Sequence, residues 1–295
     1  MSQEWIARPE RSNVWAIRFI AWFALTFGRS ASRILLYPIC IYFMIFASKA
    51  RAASRNYLDR ALARPSTMAD GFRHCFYFAS TILDRVFLLN NQISVFDIRT
   101  YGEDIFQEIE ASGQGCLLLG AHMGSFEVVH ALSRAHGHPR TSLVMYEDNA
   151  RKLNTVLDNI NPQHNRPVIP LGRIDSMLKI QEALQRGEYI GILADRTITG
   201  TKTIACDFMG GRINLPITPF RLAVILERPV VFMLGIYRGS NRYDVHFEYL
   251  VNPDQPKQSE RDIAIRKAAQ QFAVRMEKYC REAPYNWFNF YNVWE

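Results

Sequence analysis

Leu117-Leu118-Leu119-Gly120-Ala121-His122-Met123-Gly124-Ser125-Phe126-Glu127 is the stretch on which the reading of this chain turns. Its first half is a short apolar run of the kind that fills a strand buried on both faces. Its second half carries a histidine and, five positions later, a carboxylate. On one uninterrupted helix that spacing leaves the two side chains about 140° apart. They converge only if His122 sits on the strand-to-helix loop and Glu127 in the first helical turn, a break that Gly124 and Ser125 permit. Ser125 is placed to cap that helix, whose positive end favours an ionised Glu127. A Glu127 that accepts the imidazole N–H leaves the other ring nitrogen as a base, which suits deprotonation of a hydroxyl for acyl transfer. The plainer alternatives are a loop histidine satisfied by backbone and a glutamate that only complements the helix dipole.

Outward from this stretch, beyond about residue 90, short apolar runs alternate with helical ones, the pattern of an α/β fold. Strands are expected at 116–120, 142–146, 167–171, 189–194, 230–237 and 243–249, and helices near 126–136, 151–159, 176–185, 219–226 and 259–281. Ser259 and Asp262 stand at capping-box spacing at the start of the last helix. The chain has 295 residues, 48% of them hydrophobic, enough for one large α/β domain with an appendage. The expected division is a helical region over 1–90 and an α/β domain over 91–295.

The net charge of +7 is unevenly placed: residues 1–100 hold 13 Lys and Arg against 6 Asp and Glu, and the remainder balances. Two apolar stretches, 14–27 and 34–46, lie in this basic part and are followed by Lys49, Arg51, Arg55, Arg60 and Arg64. That arrangement points at an anionic surface. Each stretch falls short of the about 20 apolar residues that span a bilayer, and Arg18 and Pro38 interrupt them. The expectation is a membrane-embedded or interfacial helical hairpin with aromatic and basic flanks; ordinary core helices are the alternative. Glu4, Trp5, Glu10 and Arg11 before the first stretch are unlike a signal peptide.

Other chemistry is poorly supported. The five cysteines are scattered and odd in number, against a disulfide framework or a zinc site. Glu127-Val128-Val129-His130 has the E-x-x-H spacing of di-iron bundles but no second copy. Gly113-x-Gly115 precedes a strand instead of following one, and no G-x-S-x-G elbow occurs. His136 and His138 flank Gly137 at a helix end, where capping is the expected role. No metal, cofactor or nucleic acid is expected.

Further runs extend the pattern around His122 and Glu127: Gly187-Glu188-Tyr189-Ile190-Gly191-Ile192-Leu193-Ala194-Asp195; Asp207-Phe208-Met209-Gly210-Gly211 with Leu215-Pro216-Ile217-Thr218-Pro219; Arg221-Leu222-Ala223; Arg228-Pro229-Val230-Val231; and the aromatic segment from Pro284-Tyr285-Asn286-Trp287 to Trp294. With these, most of the chain resembles the lipid A late acyltransferases, a branch of the lysophospholipid acyltransferase superfamily whose signature is H-x4-D/E. The resemblance implies a mixed central sheet flanked by helices, like that of glycerol-3-phosphate acyltransferase, and an O-acyl transfer without an acyl-enzyme. His122 would take the proton of an acceptor hydroxyl while Glu127 fixes its tautomer. Backbone N–H groups near Gly124 and Ser125, and Arg173 after the glycine that follows the expected strand 167–171, would face the oxyanion. Asp195 and Arg196 would shape the acceptor pocket. Arg196 stands where the family pattern has glutamine, and the His-Arg pair before the last Trp is missing, which leaves the acceptor open. An acyl carrier protein thioester is the first expected donor and acyl-coenzyme A the second. A lipid A precursor is the first expected acceptor, ahead of another glycolipid, a polyene pigment lipid or a lysophospholipid, and the place of reaction is the cytoplasmic face of the inner membrane. A non-catalytic membrane-associated protein that keeps the fold to bind a lipid or a carrier protein is the rival reading.

Overall fold

The computed structural model describes residues 14–137, 139–146, 168–171, 175–197, 200–251 and 260–294. Three helices lead: α1 (Val14–Phe46), α2 (Ser48–Ala61) and α3 (Met68–Leu89). Then follow β1 (Asp97–Tyr101), α4 (Asp104–Ala111), β2 (Leu117–Gly124), α5 (Phe126–Ala135), β3 (Thr141–Tyr146), β4 (Val168–Leu171), α6 (Ser176–Gln185), β5 (Tyr189–Leu193), β6 (Thr203–Phe208), β7 (Gly211–Pro216), α7 (Ile217–Ile225), β8 (Val230–Gly239), β9 (Arg242–Val251) and α8 (Arg261–Glu282). Seven strands form one mixed sheet in the order β1-β9-β8-β2-β5-β3-β4, and β6 and β7 form a separate hairpin. Within the sheet, β8 and β9 are antiparallel and the other neighbours parallel.

The expected α/β architecture is therefore present. β2 is apolar on both sides because both faces are covered. Leu117 and Leu119 join the core shared with α7 and α8, while Leu118 joins the core shared with α3 and α5. β1 and the β6–β7 hairpin were not expected as strands. β1, Asp-Ile-Arg-Thr-Tyr, is a sheet edge that alternates exposed and half-buried residues, so it lacks the apolar run that marks the inner strands. The expected helix at 151–159 and the loop at 252–258 lie outside the described residues, as does Ser259; the N-cap of α8 is Glu260, without a side-chain capping bond. His136 is the C-cap of α5 and also pairs with Glu103 at 2.8 Å; His138 lies outside the described residues.

The two apolar N-terminal stretches are consecutive halves of α1, joined at Gly28, whose φ of +80° and ψ of 170° break the helix locally. Their antiparallel partner is α3. Met44 lies over Gly71, Tyr37 packs on Phe76 with ring centroids 4.9 Å apart, and Arg29 meets Asp84 at 2.6 Å, so positions rise on α1 as they fall on α3. Asp84, with no exposed side-chain surface, also accepts from Tyr243 of β9 at 2.7 Å, which ties both helices to the sheet. The opposite side of α1 is open: Phe19, Trp22, Phe27, Ile34, Ile45 and Phe46 are each exposed over half or more of their surface. The segment Arg18–Phe46 is long and apolar enough to cross a membrane by length and composition.

Part of the basic cluster after α1 is structural. Arg51 caps α1 through the carbonyls of Met44 and Ile45, Arg60 donates to the Met209 carbonyl at 3.0 Å and covers the Trp294 ring, and Arg64 pairs with Asp70 at 2.9 Å. Arg55 is exposed.

Candidate active site

β2 and β5 are parallel neighbours with Gly120 opposite Leu193. Two residues further along both chains, at the carboxyl ends of the strands where α/β sheets form their clefts, stand His122 and Asp195. The ladder continues to that point: the Ala194 N–H donates to the Gly120 carbonyl at 2.9 Å and the His122 N–H to Asp195 Oδ2 at 3.0 Å. The side chains meet as well, with His122 Nδ1 2.7 Å from Asp195 Oδ1. Strand pairing thus brings together two residues 73 positions apart in sequence.

The imidazole partner expected from the local motif was Glu127; the structure gives that place to Asp195. Among the described residues no hydrogen bond or ion pair joins His122 to Glu127. The reason is the length of β2, which runs on through Gly124 and carries His122 as a strand residue beside β5, while Glu127 turns into α5. Glu127 is 3% exposed in the first turn of that helix.

Gly124 has φ +65°, and a Cβ there would come within 2.0 Å of the Gly235 carbonyl oxygen, so only glycine fits between β2 and β8. This close approach also commits the N–H groups expected at the oxyanion. Gly124 donates to the Asn286 carbonyl at 2.9 Å and Ser125 to the Gly235 carbonyl at 2.7 Å. Ser125 occupies the N-cap of α5 without a side-chain capping bond. Arg173 lies outside the described residues.

The C-terminal segment completes the site. Residues 286–288 run antiparallel to 122–124, with the Phe288 N–H donating to the His122 carbonyl at 2.9 Å. Trp287 Nε1 donates to Asp195 Oδ2 at 3.0 Å. Asn286 holds both backbone groups of Tyr237 on β8, at 2.8 and 3.1 Å, and Asn289 accepts from Arg196 Nε at 2.8 Å. Arg196 also donates to the Phe288 carbonyl at 2.9 Å, so its guanidinium is bound to this segment beside the dyad. Behind it, the fully buried His74 of α3 donates from Nε2 to the Trp287 carbonyl at 2.9 Å and accepts from Ser54 at 2.7 Å; burial pushes its pKa down to about 4.

An aromatic segment of this kind reads from sequence as core packing or as the lining of a lipid groove, and neither reading includes its polar contacts. The available signal was Asn286 and Asn289 among aromatics: buried at 1% and 2% exposure, an amide needs partners.

The electrostatics define a protonation state. Burial and the neighbouring Arg196 cation push the His122 pKa down, against Asp195, which raises it. Burial would raise the Asp195 carboxyl, but His122, Arg196 and the Trp287 N–H outweigh it and hold it well below the usual range. His122 is therefore neutral and Asp195 ionised near neutral pH. The Nδ1 proton is donated to Asp195, and Nε2 keeps its lone pair. The imidazole ring retains 30% side-chain exposure while the Asp195 carboxylate has none. Among the described residues no group of three or more His, Cys, Asp or Glu side chains is placed to hold a metal ion.

The profile of the bacterial lipid A biosynthesis acyltransferases matches residues 4–295, nearly the whole chain. The chain belongs to that family. It is an acyltransferase, and its lipid A acyltransferase relationship covers β2, β5 and the C-terminal segment together, the three elements that build the His122–Asp195 site. A search of curated proteins finds no matching relative.

Proposed function

We propose that this acyltransferase moves a fatty acyl chain from an acyl carrier protein thioester, or from acyl-coenzyme A, to a hydroxyl of a membrane lipid, with a lipid A precursor the first candidate acceptor. The observation that carries the reading is the neutral, oriented imidazole: His122 Nδ1 held by Asp195 at 2.7 Å, on a ring that is 30% exposed and whose Nε2 is left to take a proton. Nε2 takes the hydroxyl proton as the oxygen attacks the thioester carbonyl. The C–S bond then breaks, and the imidazolium returns the proton to the leaving thiolate. Asp195 keeps the tautomer and stabilises the imidazolium, the part that a buried carboxylate plays behind a catalytic histidine. Glu127 completes the H-x4-E motif from the positive end of α5; with Nδ1 already held, its proposed part is electrostatic, favouring the imidazolium. Arg173 is kept as a candidate for the oxyanion on the family resemblance alone.

The open face of α1 supports docking at a membrane surface, which we place at the cytoplasmic side of the inner membrane. Extracting a lipid costs about 0.8 kcal/mol for each exposed CH₂, so an enzyme that reaches the acceptor in place avoids that cost. The test is transfer by the purified full chain: labelled acyl carrier protein and acyl-coenzyme A are offered separately with lipid acceptor, and products are identified by mass. One added acyl ester on the lipid and no acylated protein is the expected result. Binding of lipid or carrier without any acylated lipid, under both donors, would favour the non-catalytic rival.

A further inference from the structure

Arg85 differs from Arg196, Arg29 and Arg238 in lacking a bonded partner among the described residues. Arg196 is bound to Asn289 and Phe288, Arg29 to Asp84, and Arg238 to Asp244 and Glu282. Arg85 makes no hydrogen bond or ion pair among the described residues, and its Nε is shut off from solvent without an acceptor. A buried donor left unmade carries the full cost of its desolvation, so the Arg85 Nε calls for an acceptor.

Its position follows from the helix. His74, Phe78, Thr81 and Arg85 recur at four, three and four residues, one stripe of α3. His74 donates to the Trp287 carbonyl, and Phe78 packs edge-on against Phe288 and Phe290 at 5.3 Å. The same C-terminal segment is bonded to His122. Two turns past Phe78, about 10 Å along the axis, the stripe reaches Arg85, where α3 meets α5 through Arg134 and the Leu88 carbonyl at 3.1 Å. The Arg85 charge is felt at His122, whose pKa it helps to depress. Phe78 and Ile82, 37% and 43% exposed, carry apolar surface along α3 up to this point.

We infer that Arg85 is a substrate-binding residue of the acyl-transfer site and takes a phosphate oxygen of the bound substrate. The assignment rests on the function proposed above. The reacting groups, a hydroxyl and a thioester, are neutral and need no cation in the ground state. Phosphate is the anionic group that the proposed substrates share, in the phosphopantetheine arm of the donor and in a phosphorylated lipid headgroup, and a guanidinium fork fits it in bidentate fashion.

The experiment compares wild type, Arg85→Ala and Arg85→Lys in non-ionic detergent micelles. Donors are acyl-phosphopantetheine and acyl-pantetheine; acceptors are a phosphorylated glycolipid and its phosphatase-treated form. Arg85→Ala is expected to raise KM for one phosphate-bearing substrate by about 10- to 100-fold, the range of a charge-assisted bond, with Arg85→Lys in between. Removing the phosphate from that substrate should cost wild type a similar factor and Arg85→Ala nothing further. Whether donor or acceptor shows this coupling identifies the source of the phosphate. The acidic limb of kcat/KM should also move to higher pH, since a positive charge near His122 has gone. Unaltered KM values, or an equal cost of phosphate removal in wild type and Arg85→Ala at an unchanged melting temperature, would overturn the assignment. Absence of any transfer by wild type would instead count against the proposed function.

Discussion

In β2 and β8 the apolar side chains are hidden from water, with Leu117, Leu119, Val230 and Phe232 at 0% exposure, whereas in α1 Phe19, Trp22 and Phe27 each leave 56% of their surface outside. The residue types are similar; what lies opposite them differs. Sheet strands meet helices on both faces, while α1 meets α3 on one side and presents the other outward. The proposed function makes this contiguous apolar face a docking surface, each Å² of it worth about 25 cal/mol when covered. In the proposed function the sheet is a frame that fixes the base beside its carboxylate, and α1 is the surface that brings the frame to its substrate. The two regions should therefore fail in different assays.

The largest expected effect lies in the frame. His122→Ala should lower kcat by about 1,000-fold, within the range of general-base assistance, while binding to vesicles stays at the wild-type level. Full transfer by the variant, measured with purified donor, would break the division. Glu127→Gln keeps size and removes charge, and should lower kcat by about 100-fold with little change in apparent donor affinity. A loss of about 1 kcal/mol in stability with near-normal turnover would instead make Glu127 a partner of the helix end alone. The smallest effect belongs to α1. Trp22→Glu with Phe46→Glu should weaken vesicle partitioning by about 10-fold or more, leave stability within about 0.5 kcal/mol, and spare kcat on detergent-dispersed acceptor. Arg55→Glu is the cleaner probe of charge attraction, because Arg51 and Arg60 have structural bonds. An α1 double variant that unfolds would show this face to be core.

The inner strands and the helices around them were legible because their apolar runs are continuous or periodic, and the observed bounds of α6, Ser176–Gln185, coincide with the expected 176–185. His122 was legible through its motif. Its partner was not, because the motif offered a carboxylate five residues away and the sheet supplied another 73 away. Register between β2 and β5 is a tertiary property, and no local spacing in the sequence encodes it. Asp195 was singled out as a pocket residue at the end of its strand, close to its observed place but with a different task. Trp287, Asn286 and His74 were missed for a related reason: each acts through a hydrogen bond to a residue remote in sequence. The two apolar stretches were expected to pair with each other as a hairpin; they are instead the halves of one helix kinked at Gly28 that packs on α3.

The claim that His122 is the base, set by Asp195 and Arg196, is tested most directly by the acidic limb of kcat/KM against pH. In wild type it should fall below 6.5, the usual histidine value, because burial and Arg196 together outweigh Asp195. Asp195→Asn removes the group that raises the His122 pKa, so its limb should move to still lower pH, with kcat reduced as the tautomer is released. Arg196→Gln removes a cation that lowers it, so its limb should move up. Three coincident limbs, or a wild-type limb above 6.5, would contradict the account, since the titrating base would then not be the imidazole between these two residues.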